Sequence, residues 1–234
     1  MSEARRPPHP SRLLDGLSGH ARRTVVDRAR RRSLAQGEVL FQQDEPAEAL
    51  FLVEAGRLKL TQLTTDGREL IVRIVGPGEV FAAMAVLDGK TYPFSATAVE
   101  ESRVMAWSRS LLPGLFQEHP QLQANLLQVV GAHARETMDR FRELATEPVP
   151  QRLARALLRL LPLGDECCAD GIFLAGITQE QLADIAATTL YTGSRVLSQW
   201  ENEGLLTAGR GKIRIRSRSR LSELAEAPAG ALSR

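Results

Sequence analysis

Only two cysteines occur in the 234 residues, and they are neighbours, Cys167 and Cys168. That number excludes a disulfide framework and an iron–sulfur cluster held by four thiolates, and adjacency lacks the C-x-x-C spacing that wraps a metal. Two reduced thiols in a cytosolic loop are the simple reading, with a redox-sensing vicinal pair as the alternative. Long apolar runs are missing too. The longest local candidate, residues 154–163, is broken by Arg155 and Arg159 and falls well short of the ~18–20 residues of a membrane span. Residues 1–10 are rich in Arg and Pro and have no apolar core of a secretory signal. Membrane and secreted classes are set aside on these grounds, and a cytoplasmic location is expected. No Gly-rich phosphate loop, metal-ligand cluster or G-x-S-x-G elbow occurs, and the four histidines lack patterned acidic or nucleophilic neighbours. An enzyme is therefore the weakest of the function classes.

What is present is an ordinary globular composition, 43% apolar and 25% charged, in a chain longer than the usual ~100–150 residue domain. Two domains are expected. The net charge of only +2 hides an asymmetry. Nine arginines lie between Arg5 and Arg32, against Asp15 and Asp27. Residues 209–220 carry Arg210, Lys212, Arg214, Arg216, Arg218 and Arg220 with no acid at all. A local basic cluster on a nearly neutral protein points to a polyanionic partner at one place. The N-terminal basic stretch reads more simply as a tail followed by a solvated helix.

From Gly37 to Ser108 the chain reads as short strands: residues 39–41, 49–53, 58–63, 70–74, 80–81 and 104–107 are apolar or alternating runs. Turn signals separate them, the sharpest being Asp66-Gly67, whose residues both tolerate positive φ. Short strands at near-regular spacing predict a barrel or roll. At Pro120 the period changes. Leu127, Val130, Ala134, Thr137, Phe141 and Leu144 recur at spacings of 3 and 4 in a helix of about 26 residues that ends before Pro148. Such a helix, ~39 Å long, outruns a small roll, and its stripe suits a second helix in a two-stranded coil. The other reading is a helix laid lengthwise on its own domain. Residues 146–150, with two prolines, form a stiff hinge before a further helix at 151–161.

Thr178-Gln179-Glu180-Gln181 fits a capping box, and Leu182, Ile185 and Ala186 then share one face of a short helix. After Ala187-Thr188 a second helix starts with Thr189 as its cap. Val196, Leu197 and Trp200 fall on its buried side, which leaves Leu190, Tyr191, Ser194, Arg195 and Gln199 facing outward. A hairpin over 209–215 follows, with Ile213 and Ile215 inward and Lys212, Arg214 and Arg216 outward at period 2. Two short helices with a tight turn and then a basic hairpin describe a winged helix-turn-helix, whose second helix enters the major groove. Arg195 has the donor fork for guanine, Leu190 and Tyr191 suit a thymine methyl or a phosphate, and the hairpin cations suit phosphates. The expected DNA-binding set is Thr178, Thr189, Leu190, Tyr191, Ser194, Arg195, Gln199, Arg210 and Lys212. The rival is a helical hairpin that contacts protein instead.

These residues carry a resemblance. Phe51-x-Val53-x-x-Gly56-x-Leu58-x-Leu60, Asp66-Gly67-Arg68-Glu69, Gly76-x-Gly78-Glu79-x-Phe81, a long helix, and Leu190-Tyr191-Thr192-x-Ser194-Arg195-Val196-Leu197 together resemble the cAMP-receptor/fumarate–nitrate regulator superfamily. The resemblance runs from about Leu13 to Leu224. It implies an α+β chain with a cyclic-nucleotide-binding-type β-roll (residues 1–118), a dimerisation helix (119–147) and a winged helix-turn-helix (148–234). It also implies a homodimer on a palindromic site of double-stranded DNA, and RNA polymerase as a further partner. Two departures stand out. Gly193 replaces the family's apolar residue, a change that leaves space beneath the helix and costs ~1 kcal/mol against Ala. The family's nucleotide pocket uses a Gly-Glu-Leu turn and, about ten residues on, an Arg-Ser pair. Here the stretches read Ala82-Ala83-Met84 and Tyr92-Pro93-Phe94-Ser95, and no arginine lies between Gly76 and Glu101. A cyclic phosphate buried without a cationic partner is costly, so the effector is expected not to be cAMP. Phe81, Ala83, Met84, Phe94, Ser95 and His133 are the candidate effector residues. Some relatives without the charged pair sense gases through haem, and His133, His20 or His119 would be the ligand here, which keeps haem as an alternative cofactor.

Overall fold

The computed structural model describes residues 11–65, 67, 69–161, 165–166, 172–175, 177–209 and 211–227. The chain divides into two compact units, one of residues up to 63 together with 74–135, the other of 64–73 together with 136 onward. The first unit holds α1 (Gly19–Asp27), β1 (Arg30–Leu34), β2 (Val39–Phe41), β3 (Ala49–Ala55) and β4 (Leu58–Leu63). After β5 (Glu69–Val75), which starts among the residues of the second unit, come β6 (Val80–Phe81), α2 (Ala83–Asp88), β7 (Ser95–Ala98), β8 (Ser102–Ser108) and α3 (Leu112–Glu118). Two four-stranded sheets, ordered β1-β8-β3-β6 and β2-β7-β4-β5, build the roll. Leu50, Phe51, Leu52 and Val53 are all buried, so β3 is covered on both faces and shows a continuous apolar run rather than alternation. The outer cover is helical: the Trp107 indole donates to the Val25 carbonyl at 2.8 Å, and Leu13, Val25, Leu50, Trp107, Leu112, Phe116, Leu122 and Leu126 meet around one small cavity.

The β3–β4 turn needs a glycine. Gly56 holds φ 76, and a Cβ there would lie 2.3 Å from Ser102 Oγ. Beside it, buried Arg57 grips Glu100 through two 2.8 Å bonds from Nε and Nη2. The Asp66-Gly67 hairpin turn rests partly on Asp66, which lies outside the described residues, as do Arg210, Cys167 and Cys168. One expectation is corrected: the basic stretch does not stay helical to Arg32. Arg30, Arg31 and Arg32 form edge strand β1, paired with Ala106, Met105 and Val104 of β8. All three side chains are exposed, so the segment carried no apolar period to reveal it.

The long helix α4 (Pro120–Thr146) follows, and it is not a unit of its own: its first part belongs with the roll, its last part with the second unit. Leu122, Asn125, Leu126 and Val129 form the buried face of the first part. Asn125 Nδ2 donates to the carbonyls of Leu13 (3.0 Å) and Asp15 (2.7 Å), which fixes the helix against the N-terminal segment. In the second unit come α5 (Val149–Leu160), β9 (Asp165–Glu166), β10 (Ile172–Ala175), α6 (Gln179–Ile185), α7 (Leu190–Asn202), β11 (Leu206–Gly209), β12 (Lys212–Ile215) and α8 (Arg218–Glu226). Leu153, Leu157, Leu160, Leu174, Leu182, Leu197, Trp200, Leu205, Ile213 and Leu221 are its buried core. Two ion pairs bind the end of α4 to α5. Arg159 Nη1 reaches both oxygens of buried Glu143 at 2.8 and 2.9 Å, and Arg155 Nε reaches Glu147 at 2.8 Å. The β4–β5 hairpin is tied to the same part of α4. Arg140 Nη1 donates to the Val72 carbonyl, its Nη2 meets Glu136 at 2.8 Å, and Arg73 lies 3.4 Å from the other Glu136 oxygen. Burial pulls the Arg140 guanidinium below the ordinary arginine value, and neighbouring Glu136 opposes that shift. No helix among the described residues is long and apolar enough to cross a membrane.

Candidate nucleic-acid interface

Helix α6 starts at a full capping box. Thr178 Oγ1 accepts from the Gln181 amide at 3.1 Å, and Gln181 Oε1 accepts from the Thr178 amide at 2.9 Å. Leu182 and Ala183 are buried, and the turn to α7 is closed by the Thr188 amide bonding the Ala183 carbonyl at 2.9 Å. Ala187 makes that turn at φ 48. Thr189 then caps α7 by accepting from the Thr192 amide at 3.2 Å. Gly193, Leu197 and Trp200 form the buried face of α7, whereas Val196 is only half-buried, at its margin.

Gly193 leaves no space beneath the helix, contrary to the expectation. A Cβ there would sit 3.2 Å from the Ala183 Cβ, so α6 already fills the gap. Close approach of the two helices, rather than looseness, accounts for the glycine.

On the opposite face Tyr191, Ser194, Arg195, Ser198, Gln199 and Asn202 line one open strip. Tyr191 is 74% exposed and Leu190, at its N-terminal edge, 48%. Arg195 is exposed and makes no hydrogen bond or ion pair among the described residues. Glu201, six residues further along the helix, is engaged elsewhere: its Oε1 accepts from the Ala208 amide at 3.2 Å in the following hairpin. Gln199 is committed to Glu203 at 2.9 Å.

The hairpin is an antiparallel ladder, Leu206↔Ile215 through Gly209↔Lys212, and β10 pairs on the far side of β12 to make the sheet order β11-β12-β10-β9. Ile213 and Ile215 are buried, Lys212 and Arg216 exposed and Arg214 half-buried, as period 2 requires. The hairpin is fixed to α7 through Leu205, whose amide bonds the Trp200 carbonyl and whose carbonyl accepts from the Arg216 amide, both at 2.9 Å.

The candidate effector residues are less well gathered. Phe81 and Ala83 are buried, Phe94 is half-buried against the core, and Ser95 Oγ accepts from the Gln43 amide at 2.9 Å. Met84 is corrected: at 64% exposure its side chain faces solvent because α2 turns it away from β3. Ala82 opens α2 in the left-handed region, φ 63. The interior beside it is aromatic: Phe41 stacks on Tyr92 at 3.8 Å and on Phe51 at 5.4 Å, and Phe51 stacks on Phe81 at 5.3 Å. The Tyr92 hydroxyl donates to the Ala49 carbonyl, and burial raises its pKa. The one basic residue of this stretch, Lys90, is exposed and lies 3.6 Å from Asp88. His133 is half-buried on α4, and among the described residues no three His, Cys, Asp or Glu converge as metal ligands.

On α4, Leu127, Phe141 and Leu144 are exposed, as are Ala134 and Thr137. Val130 is corrected in part, being half-buried against the core of the roll. Met138, four residues after Ala134 and three before Phe141, is exposed as well and fits the same spacing, so it joins the stripe beside Thr137.

Comparison with known proteins matches two family models to the chain. The family described as Cyclic nucleotide-binding domain matches residues 31–119, and the Crp-like helix-turn-helix domain matches residues 151–224. The chain is 32% identical over 215 residues to the Cyclic AMP receptor protein of Thermus thermophilus, covering 92% of this chain and 97% of that protein. It is 28% identical over 200 residues to the Transcriptional activator protein anr of Pseudomonas aeruginosa, covering 84% and 80%. The solved structure of FixK2 from Bradyrhizobium japonicum superposes with a TM-score of 0.74 at 27% identity, covering 86% of this chain and 99% of that one.

Proposed function

Because this chain belongs to the CRP/FNR superfamily of transcription regulators, we propose that it works in the cytoplasm as a homodimer, each protomer offering α7 to one half of a palindromic DNA operator. The observation that carries this reading is the open face of α7, with Arg195 exposed in its middle and unpaired among the described residues. A guanidinium held outward on a capped, firmly packed helix is ready to meet guanine O6 and N7. Lys212 and Arg216 are exposed on the hairpin that follows, where phosphates would be met. The exposed apolar residues Leu127, Phe141 and Leu144 suit a second copy of α4. RNA polymerase is the protein partner such a regulator would engage.

The effector is proposed not to be cAMP. Ala83 offers only a methyl where the family has a carboxylate, and no arginine lies between Gly76 and Glu101, the stretch that supplies the family's phosphate partner. An apolar effector, or none, fits the aromatic interior better.

Binding to a selected operator and to random duplex, at several salt concentrations, tests the DNA reading. Arg195→Ala is expected to cost ~1–3 kcal/mol on the operator and far less on random DNA. Lys212→Ala is expected to weaken both alike and to lower the salt slope by about 1 for a lost phosphate contact. Equal losses on both DNAs for Arg195→Ala would make it a phosphate contact and remove base reading from it.

A further inference from the structure

Resting on the DNA reading above, we infer that α7 recognises the C5-methyl group of a pyrimidine through Tyr191, with Leu190 at the margin, within about two base pairs of the guanine met by Arg195. Three observations carry this. The buried face of α7 is set by Gly193, Leu197 and Trp200, and at 100° per residue Tyr191 falls almost opposite their mean direction. Its ring therefore stands at the middle of the face that would enter the groove, in the first turn of the helix, and is 74% exposed. Leu190 adjoins it at 48% and has no polar atom in its side chain. Neither residue is used by the fold: Thr189 caps the helix, and the core lies behind.

The Tyr191 hydroxyl suits a phosphate, but the exposed ring and the leucyl group are apolar, and their chemistry matches the one apolar feature of the major groove, the thymine methyl. Tyr191 precedes Arg195 by one helical turn, about 6 Å along the axis, against ~3.4 Å per base step. That spacing sets the two-base-pair limit. The distinction drawn at this position is then between a pyrimidine with the methyl and one without it, and 5-methylcytosine in place of cytosine supplies the same group.

The full-length protein and operator duplexes enriched from a random library test the inference, by substituting each thymine singly with uracil. One thymine near the essential guanine is expected to lose about three- to five-fold in affinity on losing its methyl, the worth of one buried CH₂-sized group. Cytosine at that position is expected to bind more weakly than 5-methylcytosine by a similar factor. Tyr191→Phe keeps the thymine–uracil difference and Tyr191→Ser abolishes it. If uracil is tolerated at every position, or if Tyr191→Phe weakens operator and random DNA equally, the methyl reading is overturned and Tyr191 is a phosphate contact through its hydroxyl. Enrichment of no sequence at all is a separate result, which overturns the DNA reading on which the inference rests.

Discussion

Ala187 and Gly193 show how single residues in the helix pair depend on contacts the sequence does not display. Alanine at φ 48 is an unfavourable choice for a turn, and a mid-helix glycine is an unfavourable choice for α7. The glycine was visible as an anomaly, but its reason, the Ala183 Cβ 3.2 Å away, is a contact between two helices. Restoring an apolar side chain with Gly193→Val is expected to destabilise the protein by ~1–3 kcal/mol through overpacking. Ala183→Gly in the same molecule is expected to return part of that loss, since it removes the opposing methyl. Denaturant unfolding of the two single variants and the double variant checks both expectations, and additive losses in the double variant would sink the packing account. The outward set of α7, by contrast, was legible residue by residue, because helical spacing alone separates Tyr191, Ser194 and Arg195 from Leu197 and Trp200.

Elements with a strong apolar period were readable, and those without one were not. The stripe of α4 and the runs of β3, β4 and β5 revealed themselves, whereas β1 is an edge strand of arginines and β7 a strand of small residues, Ser95-Ala96-Thr97-Ala98. Strand β10 escaped because four residues paired on β12 are too few to show alternation, and α8 because its N-terminal half is Arg and Ser. Charge ties between elements are equally silent in sequence. Glu143 and Arg159 are 16 residues apart, yet they join the end of α4 to α5 at 2.8 Å, and the Glu143 side chain is only 7% exposed. Removing the carboxylate leaves a guanidinium that is about a quarter exposed without its partner. Glu143→Ala is accordingly expected to cost ~1–3 kcal/mol, below the ~3–5 of a fully buried pair because water reaches Arg159. A loss under 0.5 kcal/mol in urea unfolding, about the value for a solvated pair, would show that the clasp contributes nothing beyond proximity.

For the molecule as a whole, the order of roll, long helix and helix pair could be read from period changes alone, and the winged hairpin from its alternating cations. The effector could not, since the pocket stretch departs from the family in the residues that would identify a ligand, Ala82, Ala83 and Phe94. In the function proposed above, the exposed stripe on α4 and the exposed Arg195 are parts of one device: two copies joined along α4, each reading half of a palindrome. The most direct measurement is a hydroxyl-radical footprint of the full-length protein on its selected operator. Two protected patches related by a dyad are expected, their centres about 10 bp apart or a multiple of that, unchanged by added cAMP, and lost together in the Phe141→Glu/Leu144→Glu variant. A single patch without symmetry, persisting in that variant, would contradict the account.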